Sequence, residues 1–501
     1  MGIHSRSSLA AIAIVALAAT SCASTTDDAA DTTAVVEPAA ASEEDRPLEI
    51  TGELALTPSS GPAGTEVSVS GDGLPAATDF DVVWVGAECD WVIKGEQNEE
   101  YHGRECELVE QPVAQVTSDD AGSLETAFSV PDGFGFAHDV LLIDQQGTVR
   151  NKAGFAVEMQ VKVTPESGPV GTPITIEVQG MGWQSLEDTR TILYDNRYAG
   201  FMSAVTTRGT ARAVIPATGA PGPHRIEINR GAYTFPYLNP EQSPRPDIPT
   251  FEAVFTVTEG DPVLPAPIEE QNPTAIMRNG TDLSGDGPAI ATDLEAGPVG
   301  TPFVVEGAGF EAGADVELRW FRIVGNRVAG QGWEERAITI GEISAGADGT
   351  FEFPTEIPGD VGGPHRIEAV VSDSTAAETW VSVTPHADPL ESNRVAWGTD
   401  LALHLTGVGW TETANIYTIV YDNTYVGYAC GFNTQGDVLV HLKATGEPGW
   451  HFIELYPAIY KGEETRGRNN FRIPQLTAAD DHPGEDLPIF RYAIYIEGGS
   501  S

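Results

Sequence analysis

At 501 residues the chain is too long for one hydrophobic core, and its length predicts about three or four folded units. Hydrophobic content of 41%, with 54 Gly and 35 Pro, fits turn-rich folded domains better than a disordered chain. The formal charge of -47 sets 74 acidic against 27 basic side chains, a surface that repels phosphate backbones and so excludes a nucleic-acid role.

The first 22 residues place Arg6 in a short polar start, followed by an apolar run from Leu9 to Ala19 that is too short to span a bilayer. That pattern predicts an export signal over 1–22. Its end, Ala19-Thr20-Ser21-Cys22, resembles the bacterial lipobox, and the resemblance implies diacylation of Cys22; an ordinary cleaved signal with an incidental cysteine is the alternative. Residues 23–47 are rich in Ala, Thr, Asp and Glu without apolar periodicity, which predicts a disordered tether. No later stretch has the apolar length of a membrane helix, so the expected location is the outer face of the cell membrane, held by acyl chains.

A phrase then recurs: LTPSSGPAGTEVSVSGDGL from Leu56, VTPESGPVGTPITIEVQGMGW from Val163, LEAGPVGTPFVVEGAGF from Leu294, and the degenerate WGTDLALHLTGVGW from Trp397. Gly-Pro-x-Gly makes a turn, the alternating apolar residues make a half-buried strand, and Gly-x-Gly frees the backbone at its end. Each unit closes on a turn and a strand carrying one histidine, His138, His224, His365 or His451. None has a Cys, His or carboxylate at ligand spacing, so these read as packing residues and no metal is expected.

These phrases resemble the IPT/TIG and related immunoglobulin-like repeats of bacterial surface proteins. The resemblance implies seven-stranded sandwiches with a scaffold or binding role and brings no catalytic residues. The expected fold is all-β: four tandem immunoglobulin-like β-sandwich domains over 48–160, 161–259, 288–385 and 386–501, with a linker at 260–287, together forming an elongated rod. The second and fourth units align without a gap at an offset of 227 (409 − 182), and the openings of the first and third at 236 (300 − 64), which marks duplication of a two-unit block.

Cys89 and Cys106 bracket an acidic insertion read as a loop, and in an exported chain they are the expected disulfide. Cys430 is left over and is expected to be buried in a strand. The motif Tyr194-Asp195-Asn196-x-Tyr198 returns as Tyr421-Asp422-Asn423-x-Tyr425; Asp-Asn suits a tight hairpin turn, and the flanking tyrosines allow either core packing or a binding surface. Together with Tyr233 and Tyr460 in the long excursions after the histidine strands, they form two candidate binding sites, equivalent by sequence, for an extracellular protein or glycan ligand.

Gly307-Ala308-Gly309 is followed by a strand pattern rather than the helix a dinucleotide site needs, and Gly-x-Ser-x-Gly, His-Glu-x-x-His and phosphate loops are absent. The chain therefore reads as a non-enzyme with no cofactor. The acidic turns at Ser118–Ser123 and Gly346–Thr350 read as hairpin turns rather than calcium loops. The first unit is also loosely similar to neocarzinostatin-type carriers of apolar molecules. The expected function is extracellular binding, adhesion or spacing, with a small-molecule carrier or a structural stalk as alternatives.

Overall fold

The computed structural model describes residues 46–95, 100–232, 234–243, 245, 247–265, 283, 287–326, 332–431, 434–460, 472–484 and 487–498. The signal, Cys22, nearly all of the tether, Tyr233 and most of the 260–287 linker lie outside them. The fold is all-β and of immunoglobulin-like type; one short 3-10 turn, Pro240–Gln242, is the exception to strand among the described elements.

The first pair of sheets shows the plan. Glu53–Thr57, Glu66–Asp72 and Leu124–Ser129 form a three-stranded antiparallel sheet. Against it stands a five-stranded sheet in the order Ser60–Gly61, Val149–Val157, Phe136–Asp144, Asp79–Lys94, Glu100–Thr117, whose first strand runs parallel to its neighbour. The same order of strands recurs in the next three sheet pairs, within 160–258, 289–383 and 386–497. The second strand of each three-stranded sheet alternates as its sequence predicts, burying Val67 and Val69, Ile174 and Ile176, Phe303 and Val305, and Leu401 and Leu403. Each sheet pair encloses its own apolar cluster.

The expected loop between Cys89 and Cys106 is instead a long hairpin, because the two cysteines face one another across paired strands and the disulfide joins them there. From Trp84 to His138 the chain has nine more residues than from Trp320 to His365 (54 against 45), and the surplus lengthens this hairpin. Cys430 also departs from expectation: it ends the strand Thr424–Cys430 on an exposed, edge position.

The two-unit duplication is visible as repeated contacts. Gly135 N–H donates to Met181 O at 2.9 Å, and Gly362 N–H to Val408 O at 3.1 Å, 227 residues further on (408 − 181). Met181 and Val408 in turn receive support from Gly209 and Gly436, whose φ values are +87° and +78°. A Cβ on Gly209 would lie 2.8 Å from Met181 O, and one on Gly436 would lie 2.7 Å from Asp360 O, so both positions need glycine for conformation and for clearance.

The second and fourth sheet pairs pack against each other. The apolar cluster of the second sheet pair includes Val420, Tyr456, Leu476, Ala478 and Ile489, all from the fourth. Burying these side chains contributes of order 1.5–3 kcal/mol each for the larger ones, enough to fold the chain back on itself. The outer strand Arg197–Ser203 would otherwise leave an open sheet edge. Segment 474–476 covers part of it: Phe201 N–H donates to Pro474 O at 2.9 Å and Leu476 N–H to Phe201 O at 2.8 Å.

Candidate functional site

The Tyr-Asp-Asn motifs are hairpin turns. Asp195 and Asn196 have φ of +50° and +62°, and Asp422 and Asn423 of +47° and +55°, the left-handed pair that a two-residue turn requires. Each aspartate then grips the histidine strand beside it. Asp195 Oδ2 meets His224 Nδ1 at 2.6 Å while its Oδ1 accepts from Arg225 N–H at 2.9 Å; Asp422 repeats this with His451 at 2.5 Å and Phe452 N–H at 3.0 Å.

All four histidines place Nε2 at 2.7–2.9 Å from the carbonyl four residues earlier; His138, His224 and His365 stack on an aromatic ring, and His451 lies tilted against Tyr421. The first and third differ from the others in their Nδ1 partner, which is a carbonyl, Val85 O or Phe321 O. Burial therefore lowers the pKa of His138, its main cause. At His451 burial also opposes the charge, but the carboxylate of Asp422 outweighs it and the pKa is raised.

The two motifs are not equivalent in the folded chain. Asp195 and Asn196 are exposed, whereas Asn423 is buried and its Nδ2 donates to Pro216 O at 2.8 Å and to Thr218 Oγ1 at 3.2 Å. The tyrosines brace the long excursions: Tyr198 OH donates to Thr234 O at 2.5 Å and Tyr425 OH to Arg472 O, while Arg472 also lies over the ring of Tyr460 at 5.3 Å. Tyr194 and Tyr421 point inward, donating to Thr218 O and Thr445 O, both at 2.8 Å.

Further along the second excursion, buried Asp481 gathers three parts of the chain. It accepts from Val205 N–H at 2.9 Å, from Thr206 N–H at 3.0 Å and from Trp91 Nε1 at 3.1 Å. The disulfide hairpin makes a parallel contact, Tyr101 N–H donating to Glu412 Oε2 at 2.7 Å. These partners are hundreds of residues apart, and no local sequence signal links them.

Where the second and fourth sheet pairs face each other, they leave a cleft of about 300 Å³. Pro173, Val214 and Pro216 of the second sheet pair and Phe452 and Tyr492 of the fourth line it, with Val263 and Leu264. Glu454 and Arg491 are the charged groups among its lining residues, joined by Arg491 Nε to Glu454 Oε1 at 3.0 Å. Burial raises the pKa of Glu454, and Arg491 opposes that rise. In the second sheet pair the residues at the same offset, Arg225 and Glu227, form an ion pair with an exposed arginine; Phe452 in place of Arg225 makes this face apolar enough to be covered.

Among the described residues no group of three or more His, Cys, Asp or Glu is placed to hold a metal ion. Asp119 Oδ1 accepts from Ala121 and Ser123 N–H, and Asp348 Oδ1 from Thr350 N–H, so these carboxylates close their own turns.

No protein-family model matches the chain, and no curated protein does. Among solved structures, the α2-macroglobulin of Salmonella reacted with methylamine aligns with 89% of this chain and 31% of its own, at 10% identity and a TM-score of 0.19. The trypsin-activated α2-macroglobulin of Escherichia coli aligns with 90% of this chain and 42% of its own, at 9% identity and a TM-score of 0.15. A β-glycosidase from Bacteroides vulgatus aligns with 46% of this chain and 25% of its own, at 10% identity and a TM-score of 0.13. The chain thus spans less than half the length of these proteins, and TM-scores this low transfer neither architecture in detail nor activity.

Proposed function

We propose that the chain is a lipid-anchored protein of the outer cell surface, built from four immunoglobulin-like domains of the IPT/TIG type over 48–160, 161–259, 288–385 and 386–501, which binds a small extracellular molecule and performs no catalysis. The recurrent strand order supports the four-domain division. The lipobox-like Ala19-Thr20-Ser21-Cys22 supports the anchor. The single observation that carries the binding reading is the cleft of about 300 Å³ between the second and fourth domains, where Pro173, Val214, Pro216 and Phe452 meet the polar side chains of Glu454, Arg491 and Tyr492.

This places the carrier reading ahead of adhesion or spacing. A spacer works through length, and the folding back of the fourth domain onto the second gives length away. The test is mass spectrometry of the full-length protein extracted from membranes of its host. The expected result is an N-terminal diacylated Cys22 and one small molecule per chain released on denaturation. An unmodified N-terminus would overturn the anchor, and a protein free of any small molecule, which also takes up none from a metabolite library, would overturn the carrier.

A further inference from the structure

The five-stranded sheet of the fourth unit carries a row of side chains that its fold does not require. Arg394, Tyr495 and Trp450 are register partners on the adjacent strands Arg394–Ala396, Phe490–Glu497 and Gly449–Ala458. They share one face of the sheet, opposite to the buried Ile494 and Ile496. The Trp450 and Tyr495 rings meet edge to face at 5.5 Å, and the Arg394 guanidinium lies 4.4 Å from the Tyr495 centroid and 5.9 Å from that of Trp450. Trp397, 66% exposed, stands in the turn directly after Ala396, which Thr399 N–H closes by donating to Ala396 O at 3.2 Å.

The other three units show what the sandwich needs at these places. The same register positions hold Ser60, Ala156 and Ala137 in the first unit, and Ser, Thr, Ala or Pro in the second and third. The turn position of Trp397 is taken there by Ala63, Val170 and Val299. Small side chains therefore suffice for folding, and the aromatic row is an addition confined to the fourth unit. None of its members lines the cleft between the second and fourth sheet pairs, so this surface is independent of the carrier reading.

The chemistry of the row defines what it can hold. Among the described residues the Arg394 guanidinium, the Trp450 indole N–H and the Tyr495 hydroxyl have no hydrogen-bond partner, and none is sealed from solvent. Aromatic faces beside outward donors suit the C–H face of a pyranose and its ring and hydroxyl oxygens. Three strands span about 10 Å, more than the width of a pyranose ring, so the row matches linked sugars better than a monosaccharide. A peptide could not add a strand here, because the row lies on a sheet face whose backbone groups already pair with one another. A polyanion would meet Glu497, exposed two residues beyond Tyr495 on the same face, and a chain of formal charge -47. We propose that Arg394, Trp450 and Tyr495, with Trp397 at their margin, bind a neutral polysaccharide, whose sugar rings pack on the indoles while the guanidinium held over Tyr495 donates to their oxygens.

The test titrates the intact chain with soluble neutral polymers of different linkage, a mixed-linkage β-glucan, pullulan and galactomannan. Polygalacturonate and vesicles of phosphatidylcholine with phosphatidylglycerol are run beside them. At least one neutral polymer is expected to bind saturably, and the polyuronate and the vesicles are not. Trp450→Ala, Tyr495→Thr and Arg394→Ser install residues that other units carry at the same places. Each should weaken binding about tenfold while the melting temperature stays near that of the native chain. Arg394 is exposed at the sheet edge, so its replacement tests the row without disturbing the core. Failure of every neutral polymer to bind, undiminished binding in Arg394→Ser and Trp450→Ala, or a preference for polygalacturonate would overturn the proposal. Binding to the vesicles instead would overturn it too, and would make the row a membrane contact.

Discussion

Asp481 accepts a hydrogen bond from Trp91 Nε1 at 3.1 Å across 390 residues of sequence. The same carboxylate takes the N–H groups of Val205 and Thr206, so one side chain fixes the first, second and fourth sheet pairs relative to one another. Asp481→Ala would leave these donors buried without an acceptor. The expected loss is about 3 kcal/mol, read as a lower midpoint in urea, with Asp481→Asn losing less because one amide oxygen remains.

The two Tyr-Asp-Asn turns should respond differently to the same change. Asn196→Ala and Asn423→Ala both put alanine at positive φ, a cost of about 1 kcal/mol. Only Asn423→Ala also removes hydrogen bonds to Pro216 O and Thr218 Oγ1 in a buried contact. Thermal melts should therefore show Asn423→Ala to be the worse by roughly 1–2 kcal/mol. Equal effects would mean that the fourth sheet pair does not dock on the second in solution.

His451 gives the fold a pH dependence of definite sign. Its pKa is raised in the folded chain, despite opposing burial, because Asp422 favours the imidazolium. Its contribution is fully present below the unfolded value of about 6.5 and is lost as pH rises through the raised folded value. His451→Gln should cost about 2 kcal/mol at pH 5.5, with the gap to the native protein narrowing towards pH 8.5. His138 has the opposite sign: its lowered pKa means that its contribution is present above the unfolded value and is lost as pH falls through the folded one.

Removal of the disulfide should be felt beyond its hairpin. Cys89 and Cys106, separated by 17 residues, close a loop whose unfolded-state restriction is worth about 3 kcal/mol. The hairpin also carries Tyr101 and Arg104 to Glu412 and Asp188. Cys89→Ala/Cys106→Ala should lower the melting temperature and raise amide exchange at Val205 and Thr206 as well as in the hairpin itself. Exchange confined to the hairpin would show that the tip contacts do not couple the units.

The sheet pairs were legible in the sequence because their signals are local. Alternation in EVSVSGD or PITIEVQ depends on the two faces of one strand, and Gly-Pro-x-Gly depends on one turn. The gapless match of the second and fourth units carries over to strand order and turn conformation, but not to surroundings. Asn196 and Asn423 occupy the same place in the same turn, yet one meets solvent and the other meets Pro216. Long-range docking of this kind rests on pairs such as Asn423 with Pro216 and Asp481 with Trp91, whose members carry no mutual signature in a single chain. The exposure of Cys430 has a related cause: burial follows from which neighbour covers an edge strand, and composition does not say which edge is covered.

The shared apolar cluster of the second and fourth sheet pairs also sets an order of assembly. Ile174 and Ile489 belong to one cluster although 315 residues separate them (489 − 174). During synthesis the N-terminal half emerges first, and its second unit must wait with an incompletely covered face until residue 489 has been delivered. Contacts of such sequence separation form slowly, because the connecting chain must be closed before they repay the cost. Maturation is thus tied to completion of the chain, and a polypeptide released early would retain an adhesive surface that quality-control proteases and holding chaperones can recognise.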